Sequence, residues 1–273
     1  MILASGYAIA QLLNHGMDLI WLGALLTTLP MLMFFTRVML LQNMPRTSKR
    51  FPILTLIALA GLILALNSYF KIPDELKPES ELAFLTTMLG YLTFVIYNYW
   101  YSSFKRGDNP LIKSGNKLAS FPLTDVDGKT VSSDIFHGSA TIFMFFRGNW
   151  CPLCMAQIKE IAAKYQELSA LGARVVLISP QPESHTSSLA SKFDVNMEFY
   201  SDKHNQAAKI LNIDVKNGLP TGMQVLGYDS DTVMPTVIII DENGTILYND
   251  ATENYRVRPE PEAFLKVLQD AKT

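Results

Sequence analysis

The sequence predicts an α/β sandwich built on a mixed sheet, preceded by a three-helix segment able to cross a membrane. Three observations carry this. Residues 1–106 hold only 8 Lys and Arg and 5 Asp and Glu, against 15 and 20 in residues 107–273. Three long apolar runs lie in that charge-poor part. Beyond it, apolar runs of strand length alternate with stretches whose apolar residues recur at helical spacing.

The composition narrows the function. Of 273 residues only 18% are charged, low against about 25% for soluble domains. Two cysteines exclude a disulfide-built scaffold, and a net charge of -2 gives no basis for nucleic-acid binding.

The apolar runs are 19–41, interrupted only by Arg37, then 53–70 and 82–104. Each approaches the ~20 residues a spanning helix needs. The third closes on Tyr97, Tyr99, Trp100, Tyr101 and Phe104, aromatic residues that favour the headgroup level. Pro30 is expected to kink the first span, as membrane helices tolerate. Residues 1–13 are apolar but short, and Asn14-His15-Gly16 separates them from the first span. No Lys or Arg precedes Arg37, so the basic start of a signal peptide is missing. Residues 1–106 are thus expected as a membrane anchor, 107–118 as a polar linker and 119–273 as the soluble domain.

Loop charge predicts the orientation. Arg37, Arg46, Lys49 and Arg50 follow the first span, and Lys105, Arg106, Lys113 and Lys117 follow the third. The intervening loop carries Asp74, Glu75, Glu79 and Glu81 against Lys71 and Lys77. Basic flanks mark the cytoplasmic side, so the chain is expected in a bacterial inner membrane with its soluble domain facing the cytoplasm.

In the soluble part, 121–125 and 130–131 around Asp127-Gly128 predict a leading hairpin. Strands are expected at 141–146, 174–179, near 198–200, 237–241 and 245–248. Helices are expected at 152–171, stopped by Gly172, and at 183–193, 205–211 and 260–271.

Trp150-Cys151-Pro152-Leu153-Cys154 is the chemical centre. It follows a buried strand and opens a helix, the context a redox CxxC requires. Cys151 falls at the helix N-terminus, where free N–H groups and the helix dipole favour a thiolate, the attacking species of disulfide exchange and peroxide reduction. Cys154, one turn on, can resolve a mixed disulfide or sulfenic acid on Cys151. His15, His137, His185 and His204 form no metal-ligating spacing, so neither metal nor cofactor is expected. Arg147 is the nearest cation in sequence, and either supports the thiolate or stands solvated at a strand end. Arg256 and Arg258 lie on a loop that could approach the site, but are expected rather as a surface pair. Met234-Pro235-Thr236 opens a later strand, and an X-Pro bond there can be cis.

These segments resemble the peroxiredoxin-like branch of the alkyl hydroperoxide reductase/thiol-specific antioxidant family, which has a thioredoxin fold. The resemblance rests on FRGNWCPLCMAQIKE at 146–160, RVVLISPQPESHTSSLASKF at 174–193, YSDKHNQAAKILNI at 200–213 and MPTVIIIDENGTILYNDATENYRVRPEPEAFLKVL at 234–268. It implies a thioredoxin-like α/β sandwich with Cys151 as reactive thiol, Cys154 as resolving thiol and Pro235 as a cis-proline beside them. Thr236, Arg147 and Trp150, the neighbours of these residues in the chain, are expected to support the pair. It also implies reduction of a small peroxide or disulfide, with regeneration by a cytosolic thioredoxin- or glutathione-type thiol donor. A non-enzymatic membrane redox sensor using the same dithiol is the alternative. Two family features are missing: in the pattern PxxxTxxC the Pro position is Met144 and the Thr position Gly148, and the buried Asp of thioredoxins is replaced by Phe145.

Overall fold

The computed structural model describes residues 2–41, 48–103, 106–254 and 256–272. Arg46 and Lys105 of the basic flanks and Phe104 of the aromatic cluster lie outside the described residues. The chain divides into two compact units, Met1–Ser103 and Phe104–Thr273.

The first unit is helical: α1 (Ile2–His15), α2 (Leu19–Leu41), α3 (Pro52–Tyr69) and α4 (Lys77–Val95), the last continued by a wider turn over Ile96–Tyr101. Leu19–Leu40, Pro52–Tyr69 and Ser80–Tyr101 are long and apolar enough to cross a membrane. The apolar run before Asn14 is itself a helix, α1. Small residues let these helices approach closely. A Cβ on Gly23 would lie 2.6 Å from Gly61 O and 2.7 Å from Ala65 Cβ, and one on Gly90 would lie 2.8 Å from Thr27 Oγ1. Such backbone proximity is how helices associate where hydrophobic burial gives no drive. The buried hydroxyls are satisfied locally, Thr28 Oγ1 donating to Ala24 O at 2.8 Å and Ser5 Oγ to Thr28 Oγ1 at 3.0 Å.

The second unit is built on a seven-stranded mixed sheet. Its strands are β1 (Pro122–Thr124), β2 (Thr130–Ser132), β3 (Thr141–Phe145), β4 (Arg174–Ser179) and β5 (Glu198–Ser201), with β6 (Asp214–Val215) and β7 (Thr232–Val233) forming a separate small pair. β8 (Thr236–Ile240) and β9 (Ile246–Asp250) complete it, in the spatial order β2-β1-β5-β4-β3-β8-β9. β3, β4 and β5 run parallel; β8 runs antiparallel to β3. β3 and β8 are buried along their whole length, which is why both read as unbroken apolar runs. The helices are α5 (Pro152–Ala163), α6 (Tyr165–Ala170), α7 (Glu183–Ala190), α8 (Gln206–Ile210) and α9 (Pro261–Asp270).

Three local differences from expectation have physical causes. The helix expected over 152–171 is broken at Lys164, whose N–H is shared between Glu160 O and Ile161 O, leaving α5 and α6 as separate pieces. Its end is as expected: Gly172, at φ +71, lets the Gly172 and Ala173 N–H groups reach Ser169 O and Leu168 O. The segment expected as a linker is packed against this unit over part of its length, with Ile112 buried in its core and Asn109 Nδ2 donating to Leu211 O at 2.8 Å. The pair β6–β7 escapes sequence reading because two-residue strands carry no periodicity.

Candidate active site

The sheet register builds the site. Phe145, the last residue of β3, stands opposite Thr236, the first of β8. The chain leaving β3 towards Cys151 and the chain entering β8 through Met234-Pro235 therefore meet at one end of the sheet.

Cys151 is the residue that caps α5, with Pro152 in the first turn, where its missing N–H costs nothing. Both thiols are free, Cys151 being 4% exposed and Cys154 fully buried. Cys154 Sγ donates to Cys151 Sγ across 2.9 Å. That hydrogen bond, aided by the charges of Arg258 and Arg147, outweighs burial and lowers the Cys151 thiol to about 6. Burial pushes the Cys154 thiol well up, reinforced by the proton it supplies to Cys151. One sulfur is thus held as a thiolate at neutral pH and the other as a thiol, the division that nucleophilic attack followed by resolution requires.

Trp150 and Arg147 stack beside the dithiol, the guanidinium carbon 4.8 Å from the ring centroid. Arg147 also donates to Gly218 O. It is neither a solvated strand-end cation nor remote from the sulfur. Gly148, at φ +144, permits this arrangement: a Cβ there would come 2.7 Å from Trp150 Nε1. A side chain at the family's Thr position would therefore displace the indole. Asn149 N donates to Gln181 Oε1 at 2.8 Å, and the Tyr228 hydroxyl donates to Asn149 Oδ1, with His185 Nδ1 2.7 Å from that hydroxyl. The loop before Cys151 is thereby tied to two later segments.

Two sequence expectations are corrected here. No cis peptide bond occurs among the described residues, so Met234–Pro235 is trans. Arg256 and Arg258 are not a surface pair: they are 1% and 7% exposed. Residue spacing does not decide this, since burial here depends on tertiary packing.

Arg106 belongs to the same neighbourhood. Its Nη2 donates to Thr236 Oγ1 at 3.0 Å and Pro235 O at 3.4 Å, and its Nε to Met234 Sδ at 3.1 Å. Burial lowers it to about 10. Read from the sequence it was one more basic residue flanking a span; no local signal marks it as part of the site.

A mixed sheet with a CxxC dithiol at the N-terminus of the helix that follows a central strand defines a thioredoxin-fold redox domain of the peroxiredoxin-like kind. Residues 114–249 match the AhpC/TSA family, and the C-terminal unit of this chain is an AhpC/TSA family domain, an oxidoreductase. The chain is similar to the thiol-disulfide oxidoreductase ResA of Halalkalibacterium halodurans, 24% identical over 169 residues, covering 62% of this chain and 81% of that one. It is also similar to the putative peroxiredoxin bcp of Haemophilus influenzae, 27% identical over 139 residues, covering 51% and 85%. Among solved structures, peroxidoxin BcpB from Mycobacterium tuberculosis superposes with a TM-score of 0.50 at 19% identity, over 59% of this chain and 99% of that one, a likeness of fold.

Proposed function

We propose that this chain is a membrane-anchored thiol-disulfide oxidoreductase that reduces a small peroxide or disulfide through Cys151 and Cys154, with its redox domain on the cytoplasmic side. The observation that carries this reading is the 2.9 Å contact of Cys154 Sγ with a Cys151 sulfur at the start of α5. With a peroxide, the Cys151 thiolate attacks one oxygen, forming an S–O bond as the O–O bond breaks, and the released alkoxide takes a proton to leave as an alcohol or water. Cys154 then attacks the Cys151 sulfur, and the sulfenic oxygen leaves as water. With a disulfide, the first step forms a mixed disulfide and releases a thiolate, and attack by Cys154 releases the second thiol. Both routes end at a Cys151–Cys154 disulfide, and a cytosolic dithiol or glutathione-type donor returns two electrons. The three apolar helices support anchoring, and the basic 37–50 and 105–117 flanks support the orientation.

The test is steady-state turnover of the purified chain with a peroxide and with a model disulfide in parallel, in the presence of a reducing dithiol. Many turnovers per chain are expected, abolished by Cys151→Ser. A single stoichiometric oxidation that never cycles would favour the sensor reading instead.

A further inference from the structure

Arg174 shows how this fold grips a carboxylate. Its Nε donates to Glu198 Oε1 and its Nη2 to Glu198 Oε2, both at 2.7 Å, the two parallel N–H bonds for which a guanidinium edge is shaped. Arg258 presents the same edge with nothing on it. Its Nε and Nη2 are buried and make no hydrogen bond among the described residues, while the side chain as a whole is only 7% exposed. Burying guanidinium donors without partners is costly, and a carboxylate bonded to this edge would remove that cost.

The neighbourhood adds to the case. Arg258 lies close enough for its charge to act on Cys151, Cys154 and Arg106. Arg106, 9% exposed, has a further open donor at Nη1, and Arg147 one at Nε. The charges of Arg106 and Arg258 act on each other, and the carboxylate that acts on Arg106 is Asp250, on the strand paired with β8. An anion on the open edge of Arg258 relieves that like-charge repulsion.

We infer that Arg258 and Arg106 form an anion subsite beside the dithiol, and that the physiological substrate is a small disulfide or peroxide bearing a carboxylate, gripped through the Nε and Nη2 edge of Arg258. This rests on the dithiol reading above and specifies its substrate class. Arg258 thereby selects and orients the molecule whose S–S or O–O bond Cys151 attacks.

The test compares two aromatic disulfides of similar reactivity on the full chain in detergent: dithionitrobenzoate, which carries two carboxylates, and dithiodipyridine, which is neutral. The readout is the ratio of their oxidation rates for the reduced protein, divided by the same ratio for free dithiothreitol at the same pH. Any general effect of the arginines on thiolate reactivity cancels in that ratio. The wild-type ratio is expected to exceed the reference by about tenfold or more, the worth of a charge-assisted pair. Arg258→Gln should bring it back to the reference, and Arg258→Lys, which keeps the charge but loses the fork, should retain only part of it. A wild-type ratio equal to the reference, or one unmoved by Arg258→Gln, overturns the subsite. A wild-type ratio equal to the reference overturns it even if a variant fails to fold, and where Arg258→Gln is unstable a ratio unmoved by Arg258→Lys overturns it instead. If neither disulfide oxidises the wild-type protein, the dithiol reading itself falls, and the two failures are thus told apart.

Discussion

Cys154 donates its thiol proton to Cys151 across 2.9 Å, so the two sulfurs of one CxxC are held in opposite protonation states. The Cys151 thiol is thereby lowered to about 6, while burial and the same hydrogen bond raise that of Cys154, a division suited to the proposed roles of nucleophile and resolving thiol.

The pH dependence of alkylation follows directly. Cys151 is lowered to about 6, chiefly by the Cys154 thiol, so its rate with iodoacetamide should rise through about pH 6 and level off by neutrality. Cys154→Ala removes the first cause and should move the inflection upward. An unperturbed profile, rising through about 8.5, would contradict the geometry.

Unequal roles are expected for the two cysteines. Cys151→Ser should abolish reaction with peroxide and disulfide, whereas Cys154→Ser should accumulate a mixed disulfide or sulfenic acid on Cys151, visible as an added mass. Accumulation in the Cys151→Ser variant would reverse the assignment.

Gly148 should resist the residue its family uses there. Gly148→Thr forces a Cβ into Trp150 at a backbone angle side chains rarely adopt, at a cost of about 1–3 kcal/mol. Tryptophan fluorescence should change and Cys151 reactivity should fall, as the indole is driven from its stack on Arg147. Unaltered fluorescence with full activity would show that the loop relaxes freely.

Asp202 supplies a test of stability against pH. Its carboxylate accepts Ala207 N at 2.8 Å and Ala208 N at 2.9 Å, yet burial raises it to about 6. The folded state therefore holds this proton more tightly than the unfolded chain. The associated stability is complete below about pH 4 and is lost as pH rises through about 6. Relative to Asp202→Asn, the wild-type protein should gain on the order of 2–3 kcal/mol between pH 7 and pH 4. Urea unfolding at a series of pH values measures it, and a flat difference would show that the site relaxes on ionisation.

Orientation is open to reporter fusions. A reporter after Thr273 should behave as cytoplasmic and one inserted near Lys77 as external, because basic residues flank the first and third spans and acidic ones the second loop. An export-dependent reporter active at the C-terminus would invert the topology.

Much of the fold was legible residue by residue. Buried strands such as β3, β4 and β8 announce themselves because both faces are apolar, and Gly172 and Pro152 mark helix ends through backbone constraints that act locally. The placement of Cys151 and Cys154 at the start of α5 was legible for the same reason, since strand, cysteine pair and helix are contiguous in the chain. The break at Lys164, the trans bond before Pro235 and the helix of residues 2–15 were not, because competing local conformations there differ by little and packing chooses among them.

The sequence by itself determined the division into an apolar helical part and an α/β redox part, the pair Cys151 and Cys154, and the charge asymmetry of the loops, all properties of composition and short-range spacing. Only the tertiary structure decided which arginines lie near the cysteine pair. Arg106 precedes Cys151 in the chain and Arg258 follows it at a distance; the pairing of Phe145 with Thr236 sets Arg106 at the strand end beside the loop that leads to Cys151, and the burial of Arg258 brings its charge to the sulfur. Charge acts through space, and spacing along the chain carries no measure of that separation.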